Sequence, residues 1–146
     1  MSRHNLAAQQ YGAMDLQSRT EKASPHQLIQ MLIDGAIVRT RAAIGHIERN
    51  ETTKKAELIG KAISIVDGLR GSLDMEKGGQ LSTNLDELYF YITRKLLEAN
   101  AENKTQNLIE VCSILEEIKS AWDSIKETPE VKKSTSVFEA SIAAAT

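Results

Sequence analysis

SLDMEKGGQLSTNLDELYFYI, Ser72 to Ile92, places a Gly-Gly break and a run of polar capping residues between two segments whose apolar residues recur at helical spacing. The stretch reads as helix, loop, helix. Its downstream arm carries Leu88, Tyr89, Phe90, Tyr91 and Ile92 in one run, so some of these side chains must point away from a single core stripe. An apolar second face on a small helical protein marks a place where something else docks.

Outward from this stretch the same period continues in both directions. Ser24, Pro25 and Gln27 form a helix start: a hydroxyl cap, a ring without an N–H where none is needed, and a glutamine at the third position to complete a capping box. From there Leu28, Ile29, Leu32, Ile33, Ala36, Ile37, Ala43, Ile44 and Ile47 make a wide stripe to about Arg49. After a polar turn, Asn50 to Thr53, a second stripe runs through Ile59, Ala62, Ile63, Val66, Leu69 and Leu73, with Leu58 and Ile65 one step around the cylinder. Thr83 or Asn84 is expected to cap the third helix, whose core positions are Leu85, Leu88, Tyr89, Ile92, Leu96 and Ala99. Phe90 and Leu97 fall together on its opposite side. A fourth helix is predicted from near Asn103 to about Lys126, with Leu108, Val111, Cys112, Leu115, Ile118, Trp122 and Ile125 inward.

Four helices of about 20 residues, each about 30 Å long and joined by short turns, predict an all-α fold, an antiparallel up-down-up-down four-helix bundle. The expected organisation is a short N-terminal segment over residues 1–23, a bundle over 24–126 and a mobile C-terminal tail over 127–146. The first segment holds Leu6, Tyr11, Met14 and Leu16, and the last one apolar cluster, Val137, Phe138 and Ile142.

Composition narrows the function. With 146 residues, 41% apolar and a formal net charge of −2, there is one domain's worth of core and no basic footprint for nucleic acid or an anionic membrane. No run approaches a membrane span, and the N-terminus lacks the apolar region of a secretory signal, so a cytoplasmic protein is expected. Cys112 cannot make an intrachain disulfide, and His4, His26 and His46 have no metal-ligand spacing. No cofactor is expected. No set of convergent catalytic groups is visible, which points away from an enzyme. The alternative is a histidine phosphotransfer bundle using His46, although Ile47, Glu48, Arg49 and Asn50 follow it where such modules place a lysine and a glycine. A self-associating structural subunit, burying Phe90 and Leu97 against copies of itself, is a third class.

Several ordered motifs resemble the FliS-type flagellar export chaperones. ASPHQLIQMLIDGAI, Ala23 to Ile37, is similar to the opening of that family's first bundle helix, and Ser72 to Ile92 is similar to its loop and third-helix signature. RKLLEAN, Arg94 to Asn100, and Ala121-Trp122 fit the later pattern. The resemblance runs from about Tyr11 to Ile125. It implies a cytosolic chaperone that binds the disordered C-terminal region of flagellin, prevents premature polymerisation and aids delivery to the flagellar type III export apparatus. Its implied partners are flagellin, an export gate component and a cytosolic co-chaperone or regulator. It also assigns Tyr11, in AAQQYGAM, to a segment that covers the client groove and takes part in gate recognition, and Met14 lies in the same segment. Asn84, Leu85, Leu88, Tyr89 and Tyr91 match the third-helix motif. The residues themselves add Leu58, Ile65, Phe90 and Leu97, which lie off the core seams, as candidate contacts in grooves beside the second and third helices.

Overall fold

A computed structural model describes residues 23–125. Four helices follow in order: α1 (Pro25–Glu48), α2 (Thr52–Gly71), α3 (Gly79–Glu102) and α4 (Thr105–Asp123). Among the described residues there is no strand, and no helix is long and apolar enough to cross a membrane. Each helix packs on two others: α1 on α2 and α4, and α3 on α2 and α4. Cross-helix pairs fix the register. Gln30 bonds Asp123, Asp34 pairs with Lys119 and Arg41 with Glu116, so partner numbers fall along α4 as they rise along α1. The same descending order links Asp67 to Thr93 and Arg70 to Asp86 across α2 and α3, and Tyr91 to Glu110 and Lys95 to Asn107 across α3 and α4.

The core is a continuous aliphatic cluster from all four stripes. Ile33, Ile59, Val66, Ile92, Leu96, Leu108 and Leu115 are among the largest aliphatic side chains fully removed from solvent. Burial of each contributes about 1.5–3 kcal/mol before chain entropy is counted. The expected start of α1 is present in full: Ser24 Oγ accepts from the Gln27 N–H at 3.2 Å, and Gln27 Oε1 accepts from the Ser24 N–H at 3.0 Å.

The start of α3 differs from the sequence expectation. It begins at Gly79, a turn ahead of Thr83 and Asn84, and neither of those residues caps it. Asp74 organises the entry: its carboxylate accepts the N–H groups of Glu76 and Lys77, and its carbonyl accepts from Gly78 N–H and Ser82 Oγ. Gly79 then takes φ +53°, a conformation open to glycine, and the chain enters the helix directly. Thr83 Oγ1 donates back to the Gly79 carbonyl, and Asn84 Oδ1 accepts from the Gln80 side chain, so both hydroxyl and amide serve an existing turn. The far end of α3 also differs. Asn103, expected to open the fourth helix, is a left-handed C-cap of α3, and α4 starts at Thr105 and ends at Asp123, short of Lys126.

Lys55 closes that corner. It lies on the buried stripe of α2 one turn before Ile59, is 4% exposed, and donates from Nζ to the Asn100 carbonyl (2.9 Å) and Asn103 Oδ1 (2.7 Å). A cation thereby meets the negative end of the α3 dipole. Nothing in the apolar period alone signals this clasp.

Candidate functional site

Between α3 and α4 the seam does not close. Leu81, Leu85 and Leu88 on one side and Ile114, Ile118, Trp122 and Ile125 on the other line a groove of about 280 Å³, with Asn84 and Glu117 at its polar rim. Helical period places Leu88 on the core stripe, yet it is 38% exposed because no α4 side chain fills the space in front of it. Leu81, seven residues earlier on the same face, is 54% exposed. Tyr89 is buried at the floor, where burial alone pushes its phenol well above the ordinary tyrosine range. Asn84 lies at the mouth.

Rigid polar pairs frame the groove. At one end Trp122 stacks on His26, ring centroids 5.1 Å apart. Trp122 Nε1–H donates to the His26 carbonyl at 3.0 Å, and His26 Nε2 donates to the Trp122 carbonyl at 2.7 Å, tying the start of α1 to the end of α4. Along the same seam, beyond Leu88, the Tyr91 hydroxyl donates to the Glu110 carboxylate, with Lys95 Nζ 5.5 Å from the tyrosine ring centre. The bond to Glu110, and then burial, raises the Tyr91 pKa.

Phe90 and Leu97 occupy a different face. Both are about half exposed, on the flank of α3 nearer α2. The Arg70 guanidinium sits 4.9 Å above the Phe90 ring while its Nε donates to Asp86 at 2.6 Å. That hydrogen bond holds the Asp86 carboxyl below its usual range. Leu58 and Ile65 lie elsewhere again: both are half-buried against the core, and Ile65 faces α1, where its Cδ1 would lie 3.6 Å from a Cβ at Gly35. Ile65 also borders a polar groove of about 440 Å³ with Arg39, Glu57, Lys61 and Ser64. The structure thus brings Asn84, Leu88 and Tyr89 together, sets Tyr91 beside them, and separates them from Phe90–Leu97 and from Leu58–Ile65. Tyr11 and Met14 lie outside the described residues, as do Leu6, Leu16, Val137, Phe138 and Ile142.

Sequence reasoning misses Leu81, which it places ahead of the third helix, and the α4 wall of the groove as a docking surface. Leu81 and Leu88 at a spacing of seven are the available signal.

The model of the family described as flagellar protein FliS matches residues 7–129. The chain belongs to the FliS family. It is similar to the flagellar secretion chaperone FliSB of Pseudomonas aeruginosa, 46% identical over 119 residues that cover 82% of this chain and 94% of that protein. The flagellar secretion chaperone FliS of Salmonella typhimurium is 45% identical over 119 residues, covering 79% and 86%. FliS of Bacillus subtilis is 31% identical over 106 residues, covering 73% and 78%. FliS proteins are chaperones and not enzymes, which removes the phosphotransfer alternative at His46. That histidine lies near the end of α1 with Nδ1 3.2 Å from a Glu51 carboxylate oxygen. For a FliS chaperone the relevant chemistry is recognition, and the α3–α4 groove is an apolar surface suited to it.

Proposed function

We propose that this FliS protein acts in the cytoplasm and holds the disordered C-terminal segment of flagellin, preventing its premature polymerisation and handing it to the flagellar export apparatus. The observation that carries the reading is the unfilled α3–α4 seam, an apolar groove with a polar rim on a bundle whose own core is complete without it. An amphipathic helix laid in this groove would present i, i+4 and i+7 anchors to Leu81, Leu88 and Ile114. Phe90 and Leu97, and on the far side Leu58 and Ile65, offer further apolar contact for a client that wraps around the bundle. Wrapping matters energetically, because ordering a disordered segment costs about 2–5 kcal/mol or more, and tight binding then needs an interface on the order of 2,000 Å². The N-terminal segment with Tyr11 and Met14 is assigned to gate recognition and to covering the client surface, and a cytosolic co-chaperone or regulator would compete for the same apolar faces.

Calorimetry with a flagellin C-terminal peptide tests this. Leu88→Asp and Leu81→Asp should each weaken binding by roughly tenfold or more, the loss of one good apolar anchor, while the far-ultraviolet circular dichroism is unchanged. Phe90→Asp, Leu58→Asp and Ile65→Asp report the wrapped remainder. Unchanged affinity in both groove variants would remove the groove from the client surface.

A further inference from the structure

We propose that Glu117 selects the client by charge: the helix that seats in the α3–α4 groove carries a lysine or arginine at the edge of its apolar face, and that cation pairs with the Glu117 carboxylate. The inference rests on the client groove proposed above and adds what the occupant must bring to it.

The carboxylates of α4 are not alike. Glu110 accepts from the Tyr91 hydroxyl, Glu116 pairs with Arg41, and Asp123 accepts from the Gln30 side chain. Glu117 is the fourth, exposed and with no hydrogen bond or ion pair among the described residues. Cations close to it in sequence or along the seam are already engaged: Lys119 pairs with Asp34 of α1 at 2.6 Å, and Lys95 sits 5.5 Å from the centre of the Tyr91 ring. Glu117 is also the only charged residue lining the groove. The α3–α4 register, with Tyr91 opposite Glu110 and Lys95 opposite Asn107, carries on to set Glu117 across from Asn84. The Asn84 amide oxygen accepts from the Gln80 side chain at 2.8 Å, so the facing rim offers a neutral amide and no cation.

Covering the groove changes what this carboxylate costs. An apolar partner laid over the seam strips water from Glu117 without replacing the lost bonds, and an unpaired carboxylate at a closing interface opposes binding. A cation on the partner restores them as charge-assisted hydrogen bonds, screened less than on the open surface. The leucine and isoleucine walls accept any amphipathic helix of suitable shape. Discrimination therefore falls to the rim: Glu117 favours a segment with a basic edge and rejects one with an acidic edge.

Calorimetry of the full-length protein with a flagellin C-terminal peptide tests the pairing. Glu117→Gln should weaken binding about three- to tenfold at low salt, and Glu117→Lys by more. The parent's affinity should fall more steeply with added sodium chloride than that of Glu117→Gln. In a set of peptides that each have one lysine or arginine changed to glutamate, one should bind Glu117→Lys more tightly than it binds the parent. Because Glu117 is exposed and bonds nothing within the described bundle, its variants should melt with the parent, so a change in affinity reads the interface. Unchanged or tighter binding by Glu117→Gln would overturn the proposal, as would the absence of any rescuing peptide. Leu88→Asp separates this from the groove itself: if it loses affinity while both Glu117 variants keep it, the pairing is overturned and the client groove stands. If none of the three loses affinity, both are overturned.

Discussion

Gly78→Ala should destabilise this protein, although its backbone, φ −79° and ψ −16°, is one that alanine adopts freely. The cost is one of space. A Cβ at Gly78 would lie 1.7 Å from Ser82 Oγ, 2.8 Å from Ser82 Cβ and 2.9 Å from the Asp74 carbonyl oxygen. Rotating the Ser82 hydroxyl away relieves only the first of these and breaks its 3.0 Å bond to the Asp74 carbonyl at a buried position. The other two atoms are held by the helix backbone and by the 2.8 Å bond from Gly78 N–H to Asp74. Overpacking typically costs about 1–3 kcal/mol and a lost hydrogen bond about 1 kcal/mol, offset by roughly 0.4–1 kcal/mol from the stiffer unfolded chain. A net loss of about 2 kcal/mol follows, or a fall in Tm of roughly 6–10 °C for a domain of this size. Gly60 is the internal control: it lies mid-helix in α2, and a Cβ added there would meet nothing within 4 Å, so Gly60→Ala should stabilise by about 0.5–1 kcal/mol. Urea titrations followed by far-ultraviolet circular dichroism, compared at equal slope, measure both. If Gly78→Ala proves as stable as the parent, the close approach of Asp74, Gly78 and Ser82 is not what shapes the entry to α3.

Other expectations follow from single contacts. Lys55→Met keeps the buried stem and removes two charge-assisted bonds to the end of α3; after allowing for the ammonium's desolvation, it should cost about 1–2 kcal/mol in the same titration. In alkali, Tyr89 has its folded pKa raised by burial above its unfolded value near 10, so its contribution is complete below pH 10 and is lost as pH rises above it. The loss should approach about 1.4 kcal/mol per pH unit and vanish in Tyr89→Phe, read from denaturation midpoints between pH 9 and about 11. In acid, Asp86, Glu51 and Glu98 have folded pKa values depressed by hydrogen bonds from Arg70, Arg49 and Lys104. Their contribution is present above about pH 4.5 and should fade as pH falls below about 4, and Asp86→Asn should flatten part of that slope.

The parts of the fold legible in the sequence are those fixed by local chemistry. Ser24, Pro25 and Gln27 specify a helix start within four consecutive residues, and the structure uses each as expected. Thr83 and Asn84 look equally like caps, but a hydroxyl can serve the turn behind it as well as the helix ahead, and here Thr83 bonds backward to Gly79. What decides the start is Asp74, four residues before Gly78, whose carboxylate and carbonyl tie the loop together before the glycines release it. The groove is legible on one side only. Helical period places Leu88 inward, and only the packing of α4 reveals that nothing fills the space before it. Lys55 shows the converse: a lysine on an apolar stripe, paired with a helix end 45 residues away that no periodicity can supply.

The two exposed apolar faces of α3 are not equivalent for binding, and the difference lies in what already covers them. Phe90 is roofed by Arg70, which is itself held by Asp86. A partner that seats on the ring must either stack over this pair or displace it, giving up the cation–π contact. Leu81 and Leu88 have no such roof among the described residues, and the groove in front of them is framed by Trp122, whose ring is locked by its stack and paired hydrogen bonds with His26. A preorganised apolar wall gives up little entropy when it is covered. Water leaves the groove with no bond broken inside the bundle, whereas at Phe90 the partner must first compete with the protein. On this ground we propose the α3–α4 groove as the primary surface and Phe90–Leu97 as the secondary one. Client affinity should therefore fall more for Leu88→Ala than for Phe90→Ala, even though phenylalanine is the larger side chain.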